Sequence, residues 1–389
     1  MRTRRQNKVT KAVETESASA SAAASENIEE SPVLTPDPAP ASASASVPVP
    51  VSPTPSSPAS KTVVTLSKVE GPNVTEGALI SDQPKMSKIP EPLQFPLVAI
   101  LSLAFSAVGY GLTWSFTRGV LAEHTRLLDT WAEVGAVTGW RIFELALGWF
   151  GNFDGYDLTA LNLLSHGPPL YLLFAHYEAP ATALLSIVTI ETLAAYIPFR
   201  LLRPLSTMHA RPSSVPNADI ITDPGIILAT TALAGAIYSV SLLFAYATYL
   251  PTYLVVYFAG LPSLVRAHDA SYIGLMPVTL ALGFAARLFI FTPAEATGRT
   301  PQDDENEKFD PVAASLRETV WWNVWGWSSQ TKTVMRRTAL LMLVTGINTF
   351  LQTRMTVRGV ETPGAAAWSS VWVLAAAITG LGMGAVGSP

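Results

Sequence analysis

Few residues of this chain are placed to do chemistry, and four of them interrupt long apolar stretches. Arg141 and Glu144 are three apart, which puts them on one face of a helix. Glu191 lies near the middle of the apolar run Ala179–Phe199, and Arg287 lies near the end of Ser271–Thr292. On the insertion scale, a charge at mid-helix in a bilayer costs about 2.5–3.5 kcal/mol. Such side chains therefore turn to one another, to a protein interior or to a water-filled path. The chemistry they offer is proton or cation binding by carboxylates, with an arginine as counter-charge. Arg141, Glu144, Glu191 and Arg287 are the candidate substrate or ion pathway residues. Each has a plainer reading. Arg141 and Glu144 could be an ion pair kept for packing, Glu191 a structural partner of Arg141 or Arg287, and Arg287 a side chain snorkelling to the headgroups.

Other chemistries lack their residues. The chain has no cysteine, which removes thiolate metal sites, disulfides and cysteine nucleophiles. His124, His166, His176, His209 and His268 form no i, i+4 pair and no His-Glu-x-x-His, so neither a metal nor another cofactor is expected. There is no Gly-x-Ser-x-Gly elbow and no phosphate loop, so no catalytic residue is assigned and an enzyme is disfavoured. A lipid-modifying enzyme would have only His166, His176 and Glu178 to work with. The acidic run Asp303–Glu307 lacks the spacing and glycine of a calcium loop. A net charge of −4 makes no electrostatic case for nucleic acid.

The elements that must position the four charges are membrane helices. The chain has 389 residues, 49% apolar and 14% charged, whereas about a quarter of a soluble domain is charged. Residues 1–94 hold no Phe, Trp or Tyr and are rich in Ser, Ala and Pro. Such a segment cannot bury enough apolar surface to offset its chain entropy, and we expect a long disordered tail. Its basic start (Arg2, Arg4, Arg5, Lys8, Lys11) fits a solvated end, a mitochondrial presequence or an anionic-lipid contact.

Residues 95–389 read as a multi-pass domain, the whole being an all-α polytopic transmembrane helical bundle of about seven to nine helices. Phe95–Phe116, Gly225–Tyr249, Ser271–Thr292 and Gly364–Val386 are the clearest spans. Weaker ones are Ala179–Phe199, Trp131–Phe150, the short Leu250–Val265, Thr338–Gln352 and Leu158–Tyr177. The last holds Gly167-Pro168-Pro169, so it is a broken span, a re-entrant segment or a surface loop. Within a membrane, its irregular backbone would have to face protein.

Arginines follow three of these segments: Arg200, Arg203 and Arg211, then Arg266, then Arg354 and Arg358. Placing all three groups in the cytoplasm gives a consistent alternation and puts the 293–336 loop and the C-terminus outside. An odd number of helices then leaves the polar tail cytoplasmic, and eight would translocate it. The basic residues of the 293–336 loop argue against this arrangement.

Trp321, Trp322, Trp325 and Trp327 fall within seven residues, and indole rings favour the headgroup level. They suggest an interfacial helix near 312–330. Gly380 and Gly384 form a small-residue face for close helix packing, within the chain, with another membrane protein or in a homo-oligomer. Gly135 and Gly139 repeat the spacing.

The bilayer is the expected surrounding. Transporter or solute-pathway protein is the leading functional reading. A non-catalytic membrane scaffold or biogenesis factor is the alternative, and a lipid-modifying enzyme comes third. The endomembrane system, such as the ER, is the default location, and the basic start keeps the mitochondrial inner membrane open.

Overall fold

A computed structural model of the chain describes residues 89–387. The tail reading and its basic start lie outside the described residues, apart from its last few positions. What is described is a helical bundle without strands, and five of its helices are long and apolar enough to cross a membrane. Two isolated β-bridges, Thr125 to Val357 and Phe258 to Val360, tie loops together.

Eight helices of twenty residues or more run back and forth through the bundle. They are α1 (Glu91–Leu121), α2 (Trp131–Phe150), α3 (Gly155–His176), α4 (Ala181–Leu202), α5 (Pro224–Ala247), α7 (Tyr272–Ala286, continued to Thr297), α9 (Ser329–Thr356) and α10 (Thr362–Gly387). Two shorter ones are α6 (Leu250–Tyr257) and α8 (Leu316–Trp325). Local sequence explains the starts. Thr130 Oγ1 accepts from the Glu133 amide at the head of α2, Asp154 and Asp157 form a reciprocal cap on α3, and Asp223 followed by Pro224 opens α5.

Contacts between loops fix the direction of each helix. At one end, Arg126 N donates to Thr356 O, Arg358 N to His124 O, Ala259 N to Gly359 O and Arg266 to Phe174 O. This far end therefore gathers the C-terminal ends of α1, α3, α6 and α9. At the other, the Phe95 ring packs tilted against Phe150, Asp154 meets His209, Arg287 reaches Ile221, and Thr297 meets Thr333. This tail end gathers the start of α1, the 203–223 segment, the 298–328 segment and the end of α10.

Two sequence expectations are corrected here. Leu250–Val265 is not a span, because α6 has eight residues and stays at the far end. Removing that crossing places Arg203 and Arg211 on the same side as the 293–336 loop. The conflict between their charges disappears, and with it the parity argument.

Helix α3 lies at the centre, against α4, α7 and α9. It is a continuous helix through Pro168 and Pro169, both buried. Proline lacks the N–H that would bond the carbonyl four residues earlier. Those carbonyls belong to Leu164 and Ser165. Thr345 Oγ1 donates to the first at 3.4 Å and Asn348 Nδ2 to the second at 3.0 Å. The Trp368 indole donates to Pro168 O at 3.2 Å. The prolines thus face protein, as irregular backbone in a bilayer must. The same device recurs in α7. Pro293 vacates Phe289 O, and Arg337 donates to it at 3.0 Å, beside a π-helical turn at Arg287–Phe291. Three of these four donors come from α9, which also buries Thr349 and Thr353; these inward polar residues explain its weak hydropathy.

Close approach needs glycine at two crossings. A Cβ on Gly283 would meet the Gly235 amide and Thr231 carbonyl of α5, and one on Gly380 would meet Thr338 of α9. Gly384 faces Val334 of the same helix. Gly135 and Gly139 meet nothing, on a face of α2 left open.

Candidate functional site

A polar site inside the bundle is built from four helices. α2 brings Arg141 and Glu144, α4 brings Glu191, α1 brings Tyr110, and α3 brings Asn162, Ser165 and His166. Arg141 Nη2 lies 3.2 Å from Glu191 Oε2 and Nη1 lies 3.8 Å from Glu144 Oε2. The guanidinium also donates to Glu191 O at 3.1 Å, and Asn162 Nδ2 donates to the same oxygen at 2.8 Å. The Tyr110 hydroxyl donates to Glu191 Oε1 at 2.6 Å. His166 Nδ1 sits 3.0 Å from Ser165 Oγ and 3.3 Å from Asn162 O.

The two carboxylates are not equivalent. Both oxygens of Glu191 are engaged. Glu144 is buried, and its Oε1 has no hydrogen-bond partner among the described residues. A pocket of about 10 Å³ lies beside it, lined by Arg141, Asn162 and Ser165. That is close to the space one water occupies. A second cavity, of about 70 Å³, is lined by Tyr110, His166 and Glu191. The site therefore has two carboxylates, one guanidinium, a histidine and a phenol, with two small voids beside it.

Of the four charges singled out in the sequence, the fold brings three together. Arg287 stands apart. It is 4% exposed and donates to Ile221 O at 2.9 Å. Its snorkelling reading is corrected, because the carbonyl at the end of a short helix draws it into protein. His166 joins the core site, whereas His176, ten residues on, is about 15 Å along the same helix. His176 meets the Tyr246 hydroxyl at 3.0 Å.

A second polar cluster closes the tail end. Asp154, Asp157 and His209 have ligand-type atoms within 4.8 Å of one another. Protein donors already occupy the carboxylate oxygens. Asp154 accepts from the Tyr156, Asp157 and Ser206 amides and the Ser206 hydroxyl, and lies 2.6 Å from His209 Nδ1. Burial pushes the Asp154 carboxyl up, but its bonds to His209, Ser206 and the Asp157 amide outweigh that and hold it below the usual carboxylate range. Asp157 takes both Nη atoms of Arg337, at 2.7 and 3.3 Å. We read the cluster as a helix cap joined to an ion pair. Arg203 completes it by donating to Trp149 O and Phe153 O across the α2–α3 turn.

Sequence reasoning missed Tyr110, Asn162, Asp157, Arg337 and Asn348. The signal was present for Asn348 and Thr345, since the carbonyls vacated by Pro168 and Pro169 required donors from a neighbouring helix. Compared with family models, curated proteins and solved structures, the chain matches none.

Proposed function

We propose that this is a transport or solute-pathway protein of the bilayer, with its coupling site at Glu144, Arg141 and Glu191. One observation carries the reading: the buried Glu144 and the part-buried Glu191 share a single guanidinium, so neutrality needs one more positive charge, carried on a carboxyl, on His166 or by a bound ion. A proton or a small cation supplies it. Burying an uncompensated charge costs several kcal/mol, so binding and release of that cation couples to the arrangement of α2 against α4. The void beside Glu144 has room for about one water, which favours a proton as the coupling species.

Basic residues support an orientation. Arg203, Arg211, Arg299, Lys308, Arg317 and Arg336 lie toward the tail end. The far end has Arg118, Arg126, Arg266, Arg354 and Arg358, and Arg200 adds to the tail end. The bias puts the tail end, the N-terminal segment and the C-terminus in the cytoplasm. This keeps the tail cytoplasmic with an even number of crossings. An endomembrane location remains our default.

The test is proton flux into proteoliposomes holding the full chain and a trapped pH dye. Glu191→Gln and Glu144→Gln should each lower the flux to that of empty vesicles. Unchanged flux would leave the scaffold reading, which the open Gly135/Gly139 face of α2 favours as a seat for another membrane helix.

A further inference from the structure

We propose that the groove beside the tryptophan helix binds a phospholipid, with Lys332 receiving the lipid phosphate. The groove, of about 1170 Å³, lies at the tail end between α8 and the start of α9. Its walls include Phe309, Trp321, Trp322, Trp325 and Val324, and Lys332 lines it from α9.

Lys332 is the unusual member. It is 5% exposed. Among the described residues its ammonium has no carboxylate within ion-pair distance and no hydrogen bond; only the Trp325 ring approaches, at 6.0 Å. Cations elsewhere in the bundle interior are provided for: the part-buried Arg141 and Arg337 by carboxylates, the buried Arg287 by a carbonyl. The carboxylates on the groove do not serve Lys332. Glu318 accepts from the Ser315 amide and hydroxyl, both at 2.8 Å, as a helix cap. Glu305 is exposed at the rim. With its stem buried and no protein anion beside it, the ammonium opens on the groove and is placed to receive an anion there.

The rest of the groove says what kind of anion. Leu316, Val320, Trp321 and Val324 present an exposed apolar surface around it. The groove sits where α7 has ended and α9 begins, the level at which indoles meet headgroups. A ligand with one anionic group and an apolar body matches both halves. Of such ligands, a glycerophospholipid is the one present at that level in any membrane. Its phosphate would pair with Lys332 and its glycerol and acyl segments would lie along the tryptophans.

The full chain, purified in detergent, is titrated with dioleoylphosphatidylcholine, with dioleoylglycerol and with inorganic phosphate, and bound ligand is counted by native mass spectrometry. The phospholipid should bind at least about tenfold more tightly than dioleoylglycerol. Lys332→Met should abolish that preference, and Lys332→Arg should keep it. Equal binding of the two lipids to the unaltered chain would overturn the proposal, whether or not the Met variant accumulates. So would a preference that survives Lys332→Met. Saturable binding of inorganic phosphate that excludes the phospholipid would overturn it too, making the groove a free-anion site.

Discussion

Replacing Asn348 with Leu should destabilise the bundle by about 1–2 kcal/mol, and replacing Pro169 with Ala should abolish most of that cost. Asn348 Nδ2 is the donor to Ser165 O, the carbonyl that Pro169 leaves open. A buried acceptor that loses its donor costs about 1–3 kcal/mol. Hydrogen bonds between membrane helices average near 0.6 kcal/mol and reach about 1.7, because the unfolded state in the membrane also finds partners. The substitution also removes Asn348 Oδ1, a buried oxygen without a partner of its own, which offsets part of the loss. The expected cost therefore lies in the lower half of the range. Alanine at 169 restores the N–H that bonds Ser165 O within α3, so Asn348 becomes redundant. The assay is a double-mutant cycle by reversible unfolding in mixed micelles. Asn348→Leu should cost about 1–2 kcal/mol with proline present and under about 0.5 kcal/mol with alanine present. An equal cost in both backgrounds would refute the account of how α3 tolerates its prolines.

Three further outcomes follow from the packing. Arg337→Met strands Asp157 in the core and should cost about 3–5 kcal/mol, read as a fall in the unfolding midpoint; a change under about 1 kcal/mol would show that the pair is screened. Gly283→Ala forces α5 and α7 apart, whereas Gly139→Ala meets open space. The first should lower the midpoint well beyond the second, which stays within about 0.5 kcal/mol of the parent. Asp154 is held below the usual carboxylate range in the fold, so its contribution is present above pH ~4 and decays as pH falls further. The stability gap between the parent and Asp154→Asn should therefore shrink as pH falls from 7 to 3; a gap that stayed constant would mean that the carboxylate charge is not what the His209 and Ser206 contacts hold.

Much of the architecture was readable because lipid demands it. Uncharged runs such as Gly225–Tyr249 and Gly364–Val386 have one stable solution in hydrocarbon, and both are helices. Helices that hide polar residues inside the bundle were harder. α9 carries Arg337, Thr345 and Asn348, each engaged with a neighbour, and a hydropathy window counts them as if they faced lipid. α3 read as a broken span, a re-entrant segment or a surface loop because local propensity penalises Pro168 and Pro169, and the donors from α9 satisfy the carbonyls that the prolines leave open. The reverse error befell Leu250–Val265, which is apolar but too short to cross, with prolines near both ends. Of the site, the charged members were legible because charge in an apolar run is expensive. Tyr110 and Asn162 were not, since a phenol or amide in a helix carries no such signal until its partner is known.

The central claim is that Glu144, Arg141 and Glu191 form a site that binds and releases a cation. The most direct measurement is proton uptake by proteoliposomes under an imposed potential, comparing the parent with Glu144→Gln, Glu191→Gln and the open-face variant Gly139→Ala. The account predicts that both glutamine variants fall to the rate of empty vesicles while Gly139→Ala keeps the parent rate. Parent uptake no faster than that of empty vesicles, or glutamine variants as fast as the parent, would contradict it.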